Sequence, residues 1–218
     1  MILSRGRRYI FIHIPKTGGT ALSLALEARA MKDDVLIGDT PKATRRAHRW
    51  GGVKTAGRLW KHSTLADIAG LATDAEIADF FTFTLVRNPW DRMVSYYHWL
   101  KLQDFAHPAV ALAKSQDFSG FLNAPQTRAA FARYPYASYV TTAAGVNCCN
   151  LFIRLEDFAK DVAPLEAHLG FVLAPLARAN ASMRDQDWRR YYSDADAQTL
   201  ASICAQDIAR FGYRFDPG

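Results

Sequence analysis

The segment Lys16-Thr17-Gly18-Gly19-Thr20 gathers one full positive charge, two hydroxyls and two glycines into five consecutive residues. That mixture suits the holding of a phosphate-like anion. Glycines let backbone N–H groups approach an anion closely, and a helix starting there adds the positive end of its dipole. Lysine and threonine add a charge and hydroxyl donors. The order differs from the phosphate loop of nucleoside-triphosphate hydrolysing enzymes, G-x-x-x-x-G-K-[ST], where lysine follows the glycines. Here Lys16 precedes them, which argues against an ATPase or GTPase. Taken alone, these residues read equally well as a glycine turn between a strand and a helix, with a solvated lysine.

A second constellation changes that balance. The β-type run Phe81-Thr82-Phe83-Thr84-Leu85-Val86 is followed by Arg87-Asn88-Pro89-Trp90-Asp91-Arg92-Met93-Val94-Ser95. Asn88-Pro89 marks the strand end, and proline suits the first turn of a helix. Trp90, Met93, Val94, Tyr97 and Leu100 recur at helical spacing. Arg87 then sits at the carboxyl end of a strand, with Ser95 about two turns into the helix. The first junction has the same plan, because the apolar run Tyr9 to Ile14 stops at Pro15 just before Lys16. In open α/β sheets, ligands bind outside the carboxyl ends of the strands, and two such junctions can hold two phosphates of one ligand.

Together the two segments resemble the sulfotransferases that use 3′-phosphoadenosine 5′-phosphosulfate (PAPS). Pro15-Lys16-Thr17-Gly18-Gly19-Thr20 matches that family's 5′-phosphosulfate loop, and Arg87 with Ser95 matches its 3′-phosphate motif. The loop, His13-Ile14-Pro15-Lys16-Thr17-Gly18-Gly19-Thr20, is most similar to that of the carbohydrate sulfotransferases, including the heparan 2-O type; a bacterial type with no Golgi anchor is expected. Phe152 to Phe158, Asn180-Ala181-Ser182 and Phe211-Gly212-Tyr213 fit as weaker pieces, so the resemblance runs from about residue 9 to 215.

The resemblance implies PAPS as sulfuryl donor, 3′-phosphoadenosine 5′-phosphate (PAP) as product, and no metal. Lys16 and the N–H groups of Thr17, Gly18, Gly19 and Thr20 would hold the phosphosulfate. Arg87 and Ser95 would hold the 3′-phosphate, with Arg184 as a further phosphate contact from a late basic loop. A hydroxyl acceptor needs a general base, and histidine is matched to neutral pH. Of six histidines, His13 and His98 read as packing, and His48, His107 and His168 lie in polar or loop-like contexts. His62, in Trp60-Lys61-His62, matches a lysine–histidine pair whose histidine is the family's proposed base. Lys61 would help neutralise the acceptor or sulfate. Arg92 faces either solvent or nucleotide, and Arg154 with Glu156 and Asp157 reads as a structural ion pair.

The elements that must position these residues alternate strand and helix. Strands are expected at Ser4 to Ile14, Phe81 to Val86 and Leu151 to Leu155. Helices are expected at Ala21 to Ala30, Pro89 to about Gln103, Glu156 to Leu169 with Gly170 as its cap, and a terminal helix begun by Ser193 and Asp196 and closed by Gly212. Ala66 to Phe80 holds a short helical stretch. Residues 31–61 show no clear periodicity and read as an irregular insertion, and residues 104–147 read as helical pieces around Phe118, Phe121 and Leu122. The fold class is therefore α/β: a P-loop NTPase-like three-layer arrangement, with a mostly parallel central sheet flanked by helices. One domain, 1–218, is expected.

Composition narrows the function classes. Half of the 218 residues are hydrophobic, which excludes a disordered chain. No run of roughly eighteen apolar residues occurs, so no transmembrane helix is expected, and the protein reads as cytoplasmic. Cys148, Cys149 and Cys204 make no disulfide framework or metal spacing. The net charge is +6, and Lys42 to Lys61 contains seven Lys/Arg and no acidic residue. That run is a solvated face or a contact for an acidic acceptor, with Trp50 and Trp60 available to stack on sugar rings. No nucleic-acid motif accompanies it. The expected partner is a carbohydrate or other hydroxyl acceptor, possibly anionic. The rival readings are an ATP-dependent small-molecule kinase and a non-catalytic phosphoadenosine- or polyanion-binding module.

Overall fold

The structure, a computed structural model, describes residues 1–173, 175–176, 184–185 and 187–216. In chain order its elements are β1 (Ile2–Ser4), β2 (Tyr9–Ile12), α1 (Gly19–Ala28), β3 (Val35–Leu36), α2 (Pro41–Arg46), α3 (Asp74–Asp79), β4 (Phe81–Val86), α4 (Pro89–Lys101), α5 (Pro108–Ser115), α6 (Phe118–Asn123), α7 (Pro125–Arg133), α8 (Tyr136–Tyr139), β5 (Leu151–Arg154), α9 (Phe158–Asp161), α10 (Ala163–Leu169), α11 (Asp194–Ile203) and α12 (Ala205–Phe211). They fall into two compact units, Met1–Val86 with Tyr136–Asn180, and Arg87–Pro135 with Ala181–Gly218.

The first unit holds a five-stranded sheet in the order β3-β1-β2-β4-β5. β2, β4 and β5 run parallel, with Ile12 opposite Thr84 and Thr84 opposite Phe152. β1 and β3 extend the sheet antiparallel. The α/β class and the parallel centre match the sequence expectation. Alternation along the strands sends Tyr9, Phe11, Phe83, Leu85 and Ile153 to one face, where they pack with Leu22 and Leu26 of α1 and with Phe158, Val162 and Leu165. Phe11 and Phe83 stack at 5.3 Å between ring centroids. Ile10, Ile12, Thr82 and Thr84 on the other face are also buried, as a parallel sheet requires.

The second unit is helical. Trp90, Met93, Val94 and Tyr97 of α4 pack with Phe118, Phe121 and Leu122 of α6 and with Leu200 of α11. Tyr192 Oη donates to the carbonyl of Trp90, and Trp90 Nε1 donates to that of Ala197. Among the described residues no helix is long and apolar enough to cross a membrane.

Several expected boundaries shift. Ser4 to Ile14 is a hairpin, because Ser4 pairs with Tyr9 and residues 5–8 form the turn, with Arg8 at φ 54°. The stretch 31–61 contains β3, α2 and a short 3-10 turn over Ala47–Arg49. α2 is too short to display a period; its signal is the cap and first-turn proline Thr40-Pro41. α3 starts at a capping box made by Thr73 and Glu76. Glu156 to Leu169 divides at Val162, ahead of Pro164 in the first turn of α10. The terminal helix divides at Cys204, whose backbone leaves helical geometry at φ −103° and ψ 21°. Ser193–Asp196, Gly170 and Gly212 cap as expected.

Thr40 has two tasks: its Oγ1 accepts from Ala43 N at 3.1 Å and donates to the buried Glu27 carboxylate at 2.7 Å. Thr40→Ala is expected to lower unfolding stability by about 2 kcal/mol, the sum of a helix cap and a charged hydrogen bond. Thr40→Ser should restore most of it, as read by urea denaturation.

Candidate active site

β2 ends at Ile12, and the chain turns through residues 13–18 to enter α1. Lys16 sits in the left-handed region at φ 66°, a conformation that costs a non-glycine residue on the order of 1 kcal/mol. Gly18 is the helix N-cap at φ 88° and ψ 4°, with no side-chain cap. A side chain at Gly18 would also meet Leu155, since a Cβ there lies 2.8 Å from Leu155 Cδ1. A Cβ on Gly19 would stand 2.1 Å from His13 Cδ2, so only glycine lets that imidazole lie against the loop. The Thr17 hydroxyl is buried and donates to the Ile14 carbonyl at 2.9 Å. It closes the loop, leaving the Thr17 N–H as what that residue can offer a ligand. Gly19 and Thr20 lie in the first turn of α1, ahead of the helix's own i→i−4 bonds. An uncapped N-terminus with a lysine in the preceding loop fits an anion.

His62 belongs to the same unit. Its Nδ1 lies 2.7 Å from the carbonyl oxygen of His13. A carbonyl only accepts, so Nδ1 carries the hydrogen and Nε2 is left as the basic nitrogen of the neutral ring. The His13 ring meets it edge-on at 4.6 Å and the Trp60 ring at 4.9 Å. Burial first, and then the Lys61 charge, outweigh the carbonyl bond and lower the His62 pKa to about 4. His13 is held well below its usual range by burial, then by His62. Sequence reasoning took His13 as packing, which its burial bears out. It missed the backbone role, because no residue type announces a carbonyl. Lys61 pairs with Asp39 at 2.5 Å.

In the second unit, Arg87 and Asp91 pair at 2.6 Å. The other Asp91 oxygen takes Arg184 Nη2 at 2.5 Å. One carboxylate thus orients two guanidiniums that are only 15% and 11% exposed. Arg184 Nη1 is buried with no hydrogen-bond partner among the described residues. Ser95, buried at 8% exposure, lies one further i+4 step beyond Asp91 on the same face of α4. Asp91 is the residue that sequence reasoning passed over; its signal is the i,i+4 spacing from Arg87. Arg92 is buried, with its guanidinium over the Phe131 ring at 5.2 Å. Asn180-Ala181-Ser182 lies outside the described residues.

The remaining candidates have local partners. His48 Nδ1 lies 3.1 Å from the Arg45 carbonyl, His107 caps α5, and His168 Nε2 donates to the Arg7 carbonyl at 2.9 Å. His98 packs edge-on to Tyr191 at 4.9 Å. Arg154 pairs with Asp157 and Asp161. Part of the basic run is tied back to the chain beyond α1: Lys42 donates to the Glu27 carbonyl, Arg46 to those of Met31 and Asp34, and Arg49 to that of Lys32. Arg45, Arg49, Lys54 and Arg58 are exposed.

The two low histidine pKa values have a stability consequence. The folded chain keeps both rings neutral, whereas the unfolded chain protonates them near 6.5. Between pH 6.5 and about 4 the unfolded state binds more protons, so stability falls as pH falls, by up to ~1.4 kcal/mol per pH unit for each histidine. Thermal denaturation across that range should show the loss, and His62→Gln should make the slope shallower.

Comparison with known proteins agrees with this architecture. The model of the sulfotransferase family matches residues 1–214. No curated protein sequence matches the chain. Among solved structures, the chain is similar to the mouse sulfotransferase SULT7A1 complexed with PAP, with 14% identity, a TM-score of 0.52, and coverage of 94% of this chain and 85% of that one. That likeness shows the fold, and the family match over nearly the whole chain shows that this protein belongs to the sulfotransferase family.

Proposed function

We propose that this enzyme moves a sulfuryl group from PAPS to a hydroxyl of a carbohydrate or other glycoconjugate. Lys16 and the N–H groups of Thr17, Gly18, Gly19 and Thr20 bind the 5′-phosphosulfate, and Arg87, Ser95 and Arg184 bind the 3′-phosphate. His62 is the general base. The observation that carries the reading is the 2.7 Å bond from His62 Nδ1 to the His13 carbonyl, which leaves Nε2 unprotonated at neutral pH.

Nε2 of His62 takes the proton as the acceptor oxygen bonds to sulfur, and the bond from sulfur to the 5′-phosphate oxygen breaks with its electron pair going to PAP. Lys16 and the α1 N-terminus oppose the charge that grows on that leaving phosphate, where preorganised donors do most for the barrier. A phosphosulfate anion beside the loop also favours the imidazolium, raising the basicity of a ring that burial alone makes weak. The Arg184 Nη1 donor, buried and unpartnered among the described residues, supports a phosphate contact there.

Calorimetric titration with PAP and with ATP tests the donor assignment: PAP should bind and ATP should not, and the reverse result means a kinase. His62→Ala should lower turnover by about 10²–10⁴-fold with PAP affinity unchanged; full activity would remove His62 from the reaction. Arg87→Lys loses the bidentate grip and should weaken PAP binding by about tenfold.

A further inference from the structure

A cavity of about 430 Å³ opens within the first unit, between the end of β3, α2 and the segment that leads to His62. Its size falls within the ~300–1,000 Å³ of small-molecule sites. Leu36, Ala43, Ala47 and Leu59 supply aliphatic wall, and Trp50 and Trp60 supply two indoles. The charged groups in its lining, Asp39 and Lys61, already neutralise each other at 2.5 Å. Trp60 ties the cavity to the base: it lines the space, is 42% exposed, and meets the His62 ring edge-on. The Trp50 indole N–H is shielded from water and has no acceptor among the described residues, a donor that a ligand oxygen would satisfy.

Of the basic run, Lys61 alone is in the lining, and Asp39 pairs with it, so the cavity walls do not make an anion site. An acidic ligand would need unpaired cations in the lining, whereas this cavity has apolar walls and an internally paired charge. We infer that it is the acceptor pocket and that it takes a small uncharged alcohol whose ring presents an apolar face to Trp50 and Trp60. This rests on His62 as the base, because Trp60 is the link between the two.

The test uses matched acceptors with labelled PAPS. 4-Nitrophenyl β-glucoside and 4-nitrophenyl β-glucuronide share a shape and differ by one negative charge; 4-methylphenol, neutral at pH 7, separates a phenolic from a sugar hydroxyl. The neutral glucoside or the phenol should be sulfated with kcat/KM about tenfold or more above the glucuronide. Ala47→Trp, which fills the cavity from an exposed position, should lower kcat/KM for the accepted neutral compound by about tenfold or more. Trp50→Ala removes one wall and should do the same, should the filled variant fail to fold. PAP affinity, read by calorimetry, should stay within about twofold in both. Preference for the glucuronide, or unchanged kcat/KM in the variants, overturns the pocket assignment. So does transfer to none of the three compounds while PAP still binds, and that result leaves the donor site standing. Failure of the unmodified enzyme to bind PAP overturns the sulfotransferase reading itself.

Discussion

The hydrogen bond from His62 to the carbonyl of His13 is the constraint on which the rest of the first unit's chemistry depends. It joins a loop residue remote in sequence to the backbone at the end of β2, and it selects which ring nitrogen is basic. The carbonyl is itself well fixed. β2 is held in register by β4, and Thr84 Oγ1 donates to the carbonyl of Ile12 at 2.7 Å, one residue before His13. On the other side, the His13 ring lies where any Cβ on Gly19 would be. The glycine that begins α1 is therefore also the glycine that admits the imidazole of His13. The proposed phosphosulfate loop and the proposed base share one piece of backbone.

The second unit solves a different problem, the placing of two guanidiniums that repel each other. Asp91 receives Arg87 on one oxygen and Arg184 on the other. One carboxylate between the two guanidiniums offsets their mutual repulsion in a partly buried position. The two ion pairs orient both guanidiniums, and orientation in advance matters for arginine because its planar fork then loses less on making a hydrogen bond.

Much of this was legible in the sequence, and the reason is that the legible parts are local. β2, β4 and β5 show as apolar runs, α1 and α4 as helical spacing behind glycine or Asn-Pro, and Gly170, Gly212 and Ser193–Asp196 as caps, because each signal lies within a few residues of the feature it makes. The hairpin at residues 5–8, the six-residue helix α2, and the helix breaks at Val162 and Cys204 are short features that a periodicity cannot register. Long-range partners were hidden for another reason. Lys42, Arg46 and Arg49 show in the sequence as part of a basic run, while their hydrogen-bond partners are carbonyls of residues 27–34, and a carbonyl has no residue type. The same holds for His13, whose side chain suggested packing while its backbone holds His62.

The protonation of His62 is open to direct measurement through the ring ¹⁵N chemical shifts of the ligand-free enzyme across a pH series. The expected result is a neutral ring at pH 7, with the hydrogen on Nδ1 and a bare Nε2, that protonates only as the pH approaches about 4. A ring with its hydrogen on Nε2, or one that titrates at the ordinary 6.5, would contradict the geometry on which the proposed chemistry rests.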